Sequence, residues 1–365
     1  MFINSKSLDT SCVSNVHRLP FIYAFADAIK DKGEILVVTQ PSRFKFSKIK
    51  QLKSNLKVFT PFLPIPIGFA CKIFLLLKLC RFYLRRQFKK MEFNNKKILW
   101  ATHPFHLYCL GLADENVVVY ECYDDFVVFG KLKQDNQTKQ VEIKLAEKCD
   151  FILATAEKLV EKLKSINPQT YYFSNAVDFD LFNQAHKDLP EDIKNIPTPR
   201  IGFTGNIFHH CCDIDLFYEL ICRKPEWSFV FIGEIGKDKK KEYKKFKALP
   251  NAFFLGWKDY YSLPIYLKGL DAAILPYKTN EIMESVNPNK IYQFMAAGIP
   301  IASTPIPEAV RFNGLVEIGD GVEGFEKAIK RALAKKSVKE IDQLVAAGLD
   351  NSWKKRVNMV LDLIL

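Results

Sequence analysis

The stretch Asn287-Pro288-Asn289-Lys290-Ile291-Tyr292-Gln293 puts a lysine at the start of an expected helix that opens near Lys290 and ends at Gly298. A helix N-terminus presents unpaired N–H groups and the positive end of the macrodipole, and a lysine there adds a full charge. The three together suit an anion; alone, such a lysine fits a solvated surface equally well. Gly205-Asn206-Ile207 is a turn whose backbone N–H groups can approach a phosphate, or a plain loop between strand and helix. His103-Pro104 and Tyr123-Asp124-Asp125 carry acid–base types. Asp124 and Asp125 can orient or deprotonate a hydroxyl, and His103 can do so near neutral pH. Asp125 also suits a helix N-cap, and His103 a satisfied structural histidine. His17-Arg18 can bind an acidic group or simply face solvent. The run His209-His210-Cys211-Cys212 has metal-ligating residue types but not the spacing, since four consecutive residues cannot face one ion and no spaced second pair follows. No metal site is expected.

These residues need elements that bring them together. Short β-branched and aromatic runs alternate with longer helical patterns, as in β-α-β units with parallel sheets. The expected strands are residues 35–39, 98–102, 117–121, 151–155 and 171–174, with a short opening strand at 2–3, and then 200–204, 228–232, 252–255, 272–275, 300–303 and 315–318. Between the sets, residues 183–199 are polar and proline-bearing, and read as a linker. The expected organisation is an α/β chain of two doubly wound, Rossmann-like domains facing a cleft. Residues 1–182 and 200–345 form the domains, and 346–365 a C-terminal helix that packs back on the first. In such sheets ligands sit beyond the carboxyl ends of the strands, where the residues above fall.

Charge is distributed unevenly. The chain of 365 residues has a formal net charge of +12, and residues 42–97 hold fifteen Lys or Arg against one acidic residue, Glu92. Within that segment Phe74, Leu75, Leu76, Leu77, Leu79, Phe82 and Leu84 mix with Lys72, Lys78, Arg81, Arg85 and Arg86. An apolar helix with basic borders suits an anionic membrane surface, or a core helix with a solvated flank. No recognition motif accompanies the basic segment, so nucleic acid is not expected as a partner. Nine scattered cysteines, several inside apolar runs, fit free buried thiols in a reducing compartment. Residues 1–18 lack the apolar core of a secretory signal, and the longest uncharged apolar stretch is too short to span a bilayer. The expectation is a cytoplasmic protein, peripheral on the inner face of the cell membrane.

With the chain laid out in this way, NPNKIYQFMAAGIPIASTPIPE resembles the donor-binding signature of the group-1 glycosyltransferases with the GT-B fold. The family form is roughly P-x-K-[LI]-[YF]-E-[YF]-[LM]-A-x-G-x-P-[VI], followed by Thr and Pro-Glu. VVVYECYDDFVVF, FSNAVDFDLF, RIGFTGNI with DIDLFYEL, PEWSFVFIG, AFFLGWKDYYSLPIYLKGLDAAILPYK and NSWKKRV match in family order. The resemblance implies a nucleotide-sugar donor in the C-terminal half. Lys290 would hold its diphosphate, helped by backbone amides of Gly205, Asn206 and the turn Asn287-Pro288-Asn289, with Ile291 alongside. Where the family has a ribose-binding Glu, this chain has Gln293, which can still bond a hydroxyl. Where many relatives place an Arg near Gly205, the local candidates are His209 and His210. The base would lie against Gly256-Trp257-Lys258. His17 and Arg18 would take an acidic acceptor group such as a lipid diphosphate. No metal cofactor is implied, and relatives with this signature are mostly retaining.

Three readings are open at this point. The first is a transferase building a surface polysaccharide on a lipid-linked or other glycan acceptor. The second is an epimerase-like enzyme of the same fold, which would have no use for a membrane patch. The third is a nucleotide-sugar-binding protein that has lost catalysis, a reading that Gln293 keeps in view.

Overall fold

The computed structural model describes residues 19–38, 48–63, 74–89, 97–129, 136–184, 188–207, 211–235, 239–335 and 337–364. The chain divides into two units: residues 1–174 with 357–365, and residues 175–356.

In the first unit the apolar runs become β1 (Ile35–Val38), β4 (Ile98–Ala101), β5 (Val117–Cys122), β6 (Phe151–Ala154) and β7 (Thr170–Tyr172). Strands β4-β5-β6-β7 form a parallel sheet in chain order. A separate sheet, ordered β1-β3-β2, adds β2 (Lys48–Lys53) and β3 (Leu56–Thr60), which the sequence reading did not anticipate. These two strands pair antiparallel inside the basic segment. Charged Lys48, Lys50 and Lys53 lie on the sheet edge, where such residues discourage further pairing. Both sheets feed one core that includes Val38, Phe59, Leu84, Leu99, Tyr120, Ile152 and Leu163. The expected opening strand at residues 2–3 lies outside the described residues.

The second unit holds six parallel strands: β8 (Arg200–Thr204), β9 (Ser228–Ile232), β10 (Ala252–Gly256), β11 (Ala272–Leu275), β12 (Ile301–Ser303) and β13 (Val316–Ile318). Their order is β10-β9-β8-β11-β12-β13. The chain thus winds outward from β8 in one direction and from β11 in the other, which makes the β8–β11 boundary the topological switch point. Fully buried Phe203, Phe229 and Phe231 fill the strands and meet Phe217 of the helix Ile214–Arg223. Each such side chain contributes on the order of 2 kcal/mol by leaving water.

Residues 183–199 are not a free linker. They belong to the second unit, and the short helix Glu191–Lys194 buries Ile193, while Ile196 is buried just beyond it. A Cβ on Gly269 would meet Ile193, so a glycine there makes room for the packing. Arg200 seals the segment by donating to the carbonyls of Ile196 (2.7 Å) and Lys194 (2.8 Å). Two isoleucines three residues apart therefore suffice to dock an otherwise polar stretch. At the other end, the helix Trp353–Ile364 begins in the second unit, and its residues from Val357 onward belong to the first.

Candidate functional site

The strand ends at the switch point are shaped by two glycines. Gly205 follows β8 with φ +103°, and Gly233 follows β9 with φ +153°, conformations that favour glycine. A Cβ on Gly233 would sit 1.8 Å from the Gly205 carbonyl oxygen, and one on Gly205 would sit 2.8 Å from Lys290 Cε. Gly205 thus leaves the space that the Lys290 side chain occupies. Its N–H donates to Ile232 O at 2.8 Å, so it serves the sheet and is not free to meet a phosphate as expected. Asn206, next along, is exposed.

Lys290 enters from the helix Asn289–Ala296, whose N-cap position is Pro288. The preceding turn is fixed by Asn175, whose side-chain amide donates to Asn287 O at 2.6 Å. The Lys290 ammonium donates to the Tyr277 hydroxyl at 3.1 Å and lies 5.6 Å from the centre of the Phe203 ring. Among the described residues no carboxylate pairs with it. Burial works to lower its pKa, but Tyr277 and the Cys212 and Cys211 thiols outweigh that and hold it above the ordinary lysine value. The group therefore keeps its proton at neutral pH. Next to it in the chain, Asn289 Oδ1 is a buried acceptor without a hydrogen-bond partner among the described residues. A partly buried cation with no counter-charge, next to an unsatisfied acceptor, is an arrangement that a ligand bearing both phosphates and hydroxyls would complete.

The other expected donor-site residues divide. Gln293 is 4% exposed, and its amide makes no hydrogen bond among the described residues. Ile291 is fully buried and its N–H donates to Pro288 O, so it packs the helix and is not a ligand contact as expected. Trp257 follows the edge strand β10 and is 45% exposed, two strands and so about 10 Å from the end of β8. Its neighbour Lys258 is held by Asp192 at 2.7 Å. His209 lies outside the described residues, while Cys211 and Cys212 are buried and Cys212 bridges to Tyr277. The sequence reading singled out neither Tyr277 nor the side chain of Asn289. The signal was available for Tyr277, which stands two residues beyond β11 at the switch point, although an aromatic at a strand end more often belongs to the core.

In the first unit His103 and Asp124-Asp125 stand beyond neighbouring strands β4 and β5, as expected, and Phe126 lies 4.8 Å from the His103 ring. Their chemistry differs from the expectation. His103 Nδ1 accepts the Phe105 N–H as an N-cap, and His106 Nδ1 accepts the Thr102 N–H. Burial lowers the His103 pKa to about 4 and that of His106 to about 3. His103 is therefore a neutral imidazole with its proton on Nε2, a hydrogen-bond donor rather than a base poised near neutrality. Asp125 is the cap that its position allowed. Its carboxylate accepts the Val127 N–H and pairs with Lys162 at 3.1 Å, and Lys162 in turn holds buried Glu142 at 2.9 Å. Asp124 is half-buried. His17 and Arg18 lie outside the described residues.

The basic helix, Phe74–Lys89, has two apolar faces. Cys80, Leu84 and Phe88 turn into the core, whereas Leu75 (74% exposed), Leu79 and Phe82 (62% exposed) form an outward stripe near exposed Lys78, Arg86 and Lys89. Arg81 and Arg85 are not merely a solvated flank. Arg81 donates to the carbonyls of Tyr108 (2.5 Å) and Leu110 (2.8 Å), and Arg85 pairs with Asp114. Among the described residues no helix is long and apolar enough to cross a membrane, and no group of three or more His, Cys, Asp or Glu could hold a metal ion.

Comparison with known proteins bears on both units. The family described as "Glycosyl transferases group 1" matches residues 198–335, which contain every strand of the second unit's sheet. A Bacillus subtilis (strain 168) protein, named as the teichuronic acid biosynthesis glycosyltransferase TuaH, is 26% identical over 230 residues. That match covers 59% of this chain, and the chain spans 57% of that relative's length. In fold, the sucrose-phosphate synthase of Thermosynechococcus elongatus superposes with a TM-score of 0.68 at 14% identity, over 94% of this chain and 91% of that one. HepE of Anabaena, solved with UDP and glucose, gives a TM-score of 0.67 at 12% identity, over 100% and 98%. The second unit is thus similar in sequence to the group-1 glycosyltransferases, and the chain as a whole has the GT-B fold.

Proposed function

We propose that this protein transfers a sugar, with retention at the anomeric carbon, from a nucleotide-sugar bound in the second unit to a lipid-linked or other glycan acceptor handled by the first. The observation that carries the reading is Lys290, a half-buried ammonium without a carboxylate partner among the described residues, at the switch point of a Rossmann-type sheet. In transfer, the bond from the anomeric carbon to the diphosphate breaks and negative charge grows on the leaving phosphate. A fixed ammonium there stabilises that charge more in the transition state than in the bound donor. Lys290 supplies this charge itself, so the reaction as proposed needs no metal cofactor. To Gln293, buried one helical turn further on, this reading assigns the ribose hydroxyls. The UDP and glucose held by the Anabaena relative support a donor of this class.

The setting proposed is cell-surface polysaccharide synthesis, with the chain peripheral on the cytoplasmic face of the membrane. The outward stripe of Leu75, Leu79 and Phe82 with its basic borders supports docking to an anionic bilayer, and the named pathway of the Bacillus relative supports a surface glycan. A thermal-shift screen of nucleotide sugars, followed by transfer assays with the stabilising donor and membrane lipid extract, tests the reading. Stabilisation by one donor and incorporation of its sugar into lipid are expected. Donor hydrolysis without any acceptor-dependent product, or no stabilisation by any donor, would count against it.

A further inference from the structure

Among the described residues Lys290 is held by one side chain, and that side chain is itself tightly held. Tyr277 stands two residues beyond β11 and is 6% exposed. The Thr304 hydroxyl, at the end of β12, donates to Tyr277 O at 2.7 Å and accepts the Tyr277 N–H at 3.1 Å. On the other side Cys212 forms an antiparallel bridge with Tyr277, Asp213 N–H donates to Pro276 O, and Lys278 N–H donates to Cys211 O, each of the latter two at 2.8 Å. A tyrosine clamped from both flanks in this way presents its hydroxyl at a fixed point.

The direction of the bond between Tyr277 and Lys290 then matters. An ammonium has no lone pair, so Lys290 donates and the phenolic oxygen accepts. The Tyr277 proton is left to point elsewhere, and among the described residues nothing accepts it. Burial raises the Tyr277 pKa above its ordinary value, so the proton stays in place at neutral pH. Accepting from a cation also makes the O–H a stronger donor. We propose that Tyr277 is a second hydrogen-bond donor to the diphosphate of the nucleotide-sugar and the residue that positions Lys290 against it, an assignment that rests on the donor reading above. Thr304 is the positioning residue behind Tyr277.

The test compares nucleotides that differ by one phosphate. Isothermal titration of the wild-type chain with UDP, GDP, dTDP and ADP, and with the matching monophosphates, identifies the nucleoside diphosphate bound most tightly. Tyr277→Phe removes one oxygen and should weaken that diphosphate about tenfold while leaving its monophosphate within about twofold. Thr304→Val, which frees the Tyr277 backbone, should show the same selectivity with a smaller loss. Among the described residues the titratable groups facing Lys290 are Tyr277, Cys211 and Cys212. Removing the phenol should therefore move the alkaline limb of diphosphate binding to lower pH, which a purely structural role would not do. Equal losses for diphosphate and monophosphate, or no loss in either variant, overturn the proposal while the donor reading stands. If the wild-type chain binds no nucleoside diphosphate, the donor reading falls and this proposal falls with it.

Discussion

Lys162 in the first unit and Lys290 in the second are both partly buried, yet their surroundings differ in one decisive respect. Lys162 meets two carboxylates, Glu142 at 2.9 Å and Asp125 at 3.1 Å, and Glu142 also accepts the Tyr120 hydroxyl at 2.8 Å. Burial would lower its pKa, but Glu142 above all and Asp125 raise it past the ordinary value. This network is complete. Lys290 has a hydroxyl and two thiols around it and keeps its charge without a counter-ion among the described residues. The difference teaches that a buried charge is read by what balances it: a balanced lysine holds the fold, and an unbalanced one waits for an anion.

Exchanging the two outcomes would break that comparison. Lys290→Ala should reduce sugar transfer on the order of a hundredfold, the scale for removing one preorganised donor from developing charge, with an unchanged denaturation midpoint. Lys162→Ala leaves Glu142 buried without its cation and should cost roughly 3 kcal/mol of stability. Its transfer rate at a temperature where it stays folded should be near normal. Urea melts and initial rates on both variants decide the matter, and a Lys162 variant that melts normally but cannot transfer would reverse the assignment.

The same contrast applies along the basic helix, between arginines that hold the fold and cations that face outward. Neutralising Lys78, Arg86 and Lys89 to Gln should weaken binding to anionic vesicles by about a hundredfold, at about 1 kcal/mol per basic residue. Neutral vesicles should bind weakly in either case, and salt should release the wild-type chain steeply, since exposed charges are screened beyond about 8 Å at physiological ionic strength. Arg81→Gln should instead disturb the fold around Tyr108 and Leu110. Equal co-sedimentation of the triple variant and the wild-type chain would return the stripe to a solvated face.

Much of the second unit was legible because its strands are continuous apolar runs: residues 200–204, 228–232 and 272–275 were expected with the bounds observed. Lys290 was legible from its place at a helix start. What could not be read were partners distant in sequence. Nothing in the sequence shows that Thr304 clamps Tyr277, that the Gly205 N–H is spent on Ile232, or that Lys162 neutralises Asp125. The strands β2 and β3 were hidden because lysines at an exposed edge outweigh the alternation that marks a strand.

Gln293 sharpens the comparison within the second unit. Its amide makes no hydrogen bond among the described residues and stands where the group-1 signature it resembles has a carboxylate, so Gln293→Glu should retain activity. Gln293→Leu should raise the donor KM about tenfold with little change in kcat, the scale of a lost hydrogen bond to a buried hydroxyl at roughly 1–3 kcal/mol. Steady-state kinetics with varied donor separate the two. Identical KM values for Leu and Gln would take the side chain out of the nucleotide site.

The smallest effect concerns His103, where the first unit's histidine pair meets pH. In the unfolded chain a histidine titrates near 6.5, whereas the fold lowers His103 to about 4 and His106 to about 3, mainly by burial. The folded-state values are depressed, so the unfolded chain binds more protons across that window. Stability is therefore fully present above about pH 6.5 and is lost as pH falls toward 4. With both rings only partly buried, the loss from His103 should be on the order of 1 kcal/mol. His103→Asn can still accept the Phe105 N–H as a cap, so it should fold normally at pH 7 and show a shallower acid slope in urea melts. The same neutrality predicts that transfer shows no inflection from this histidine between pH 6 and 8, because the ring stays a donor through Nε2 over that range. An inflection near pH 6.5 that vanishes in His103→Asn would show instead that the ring exchanges a proton during turnover.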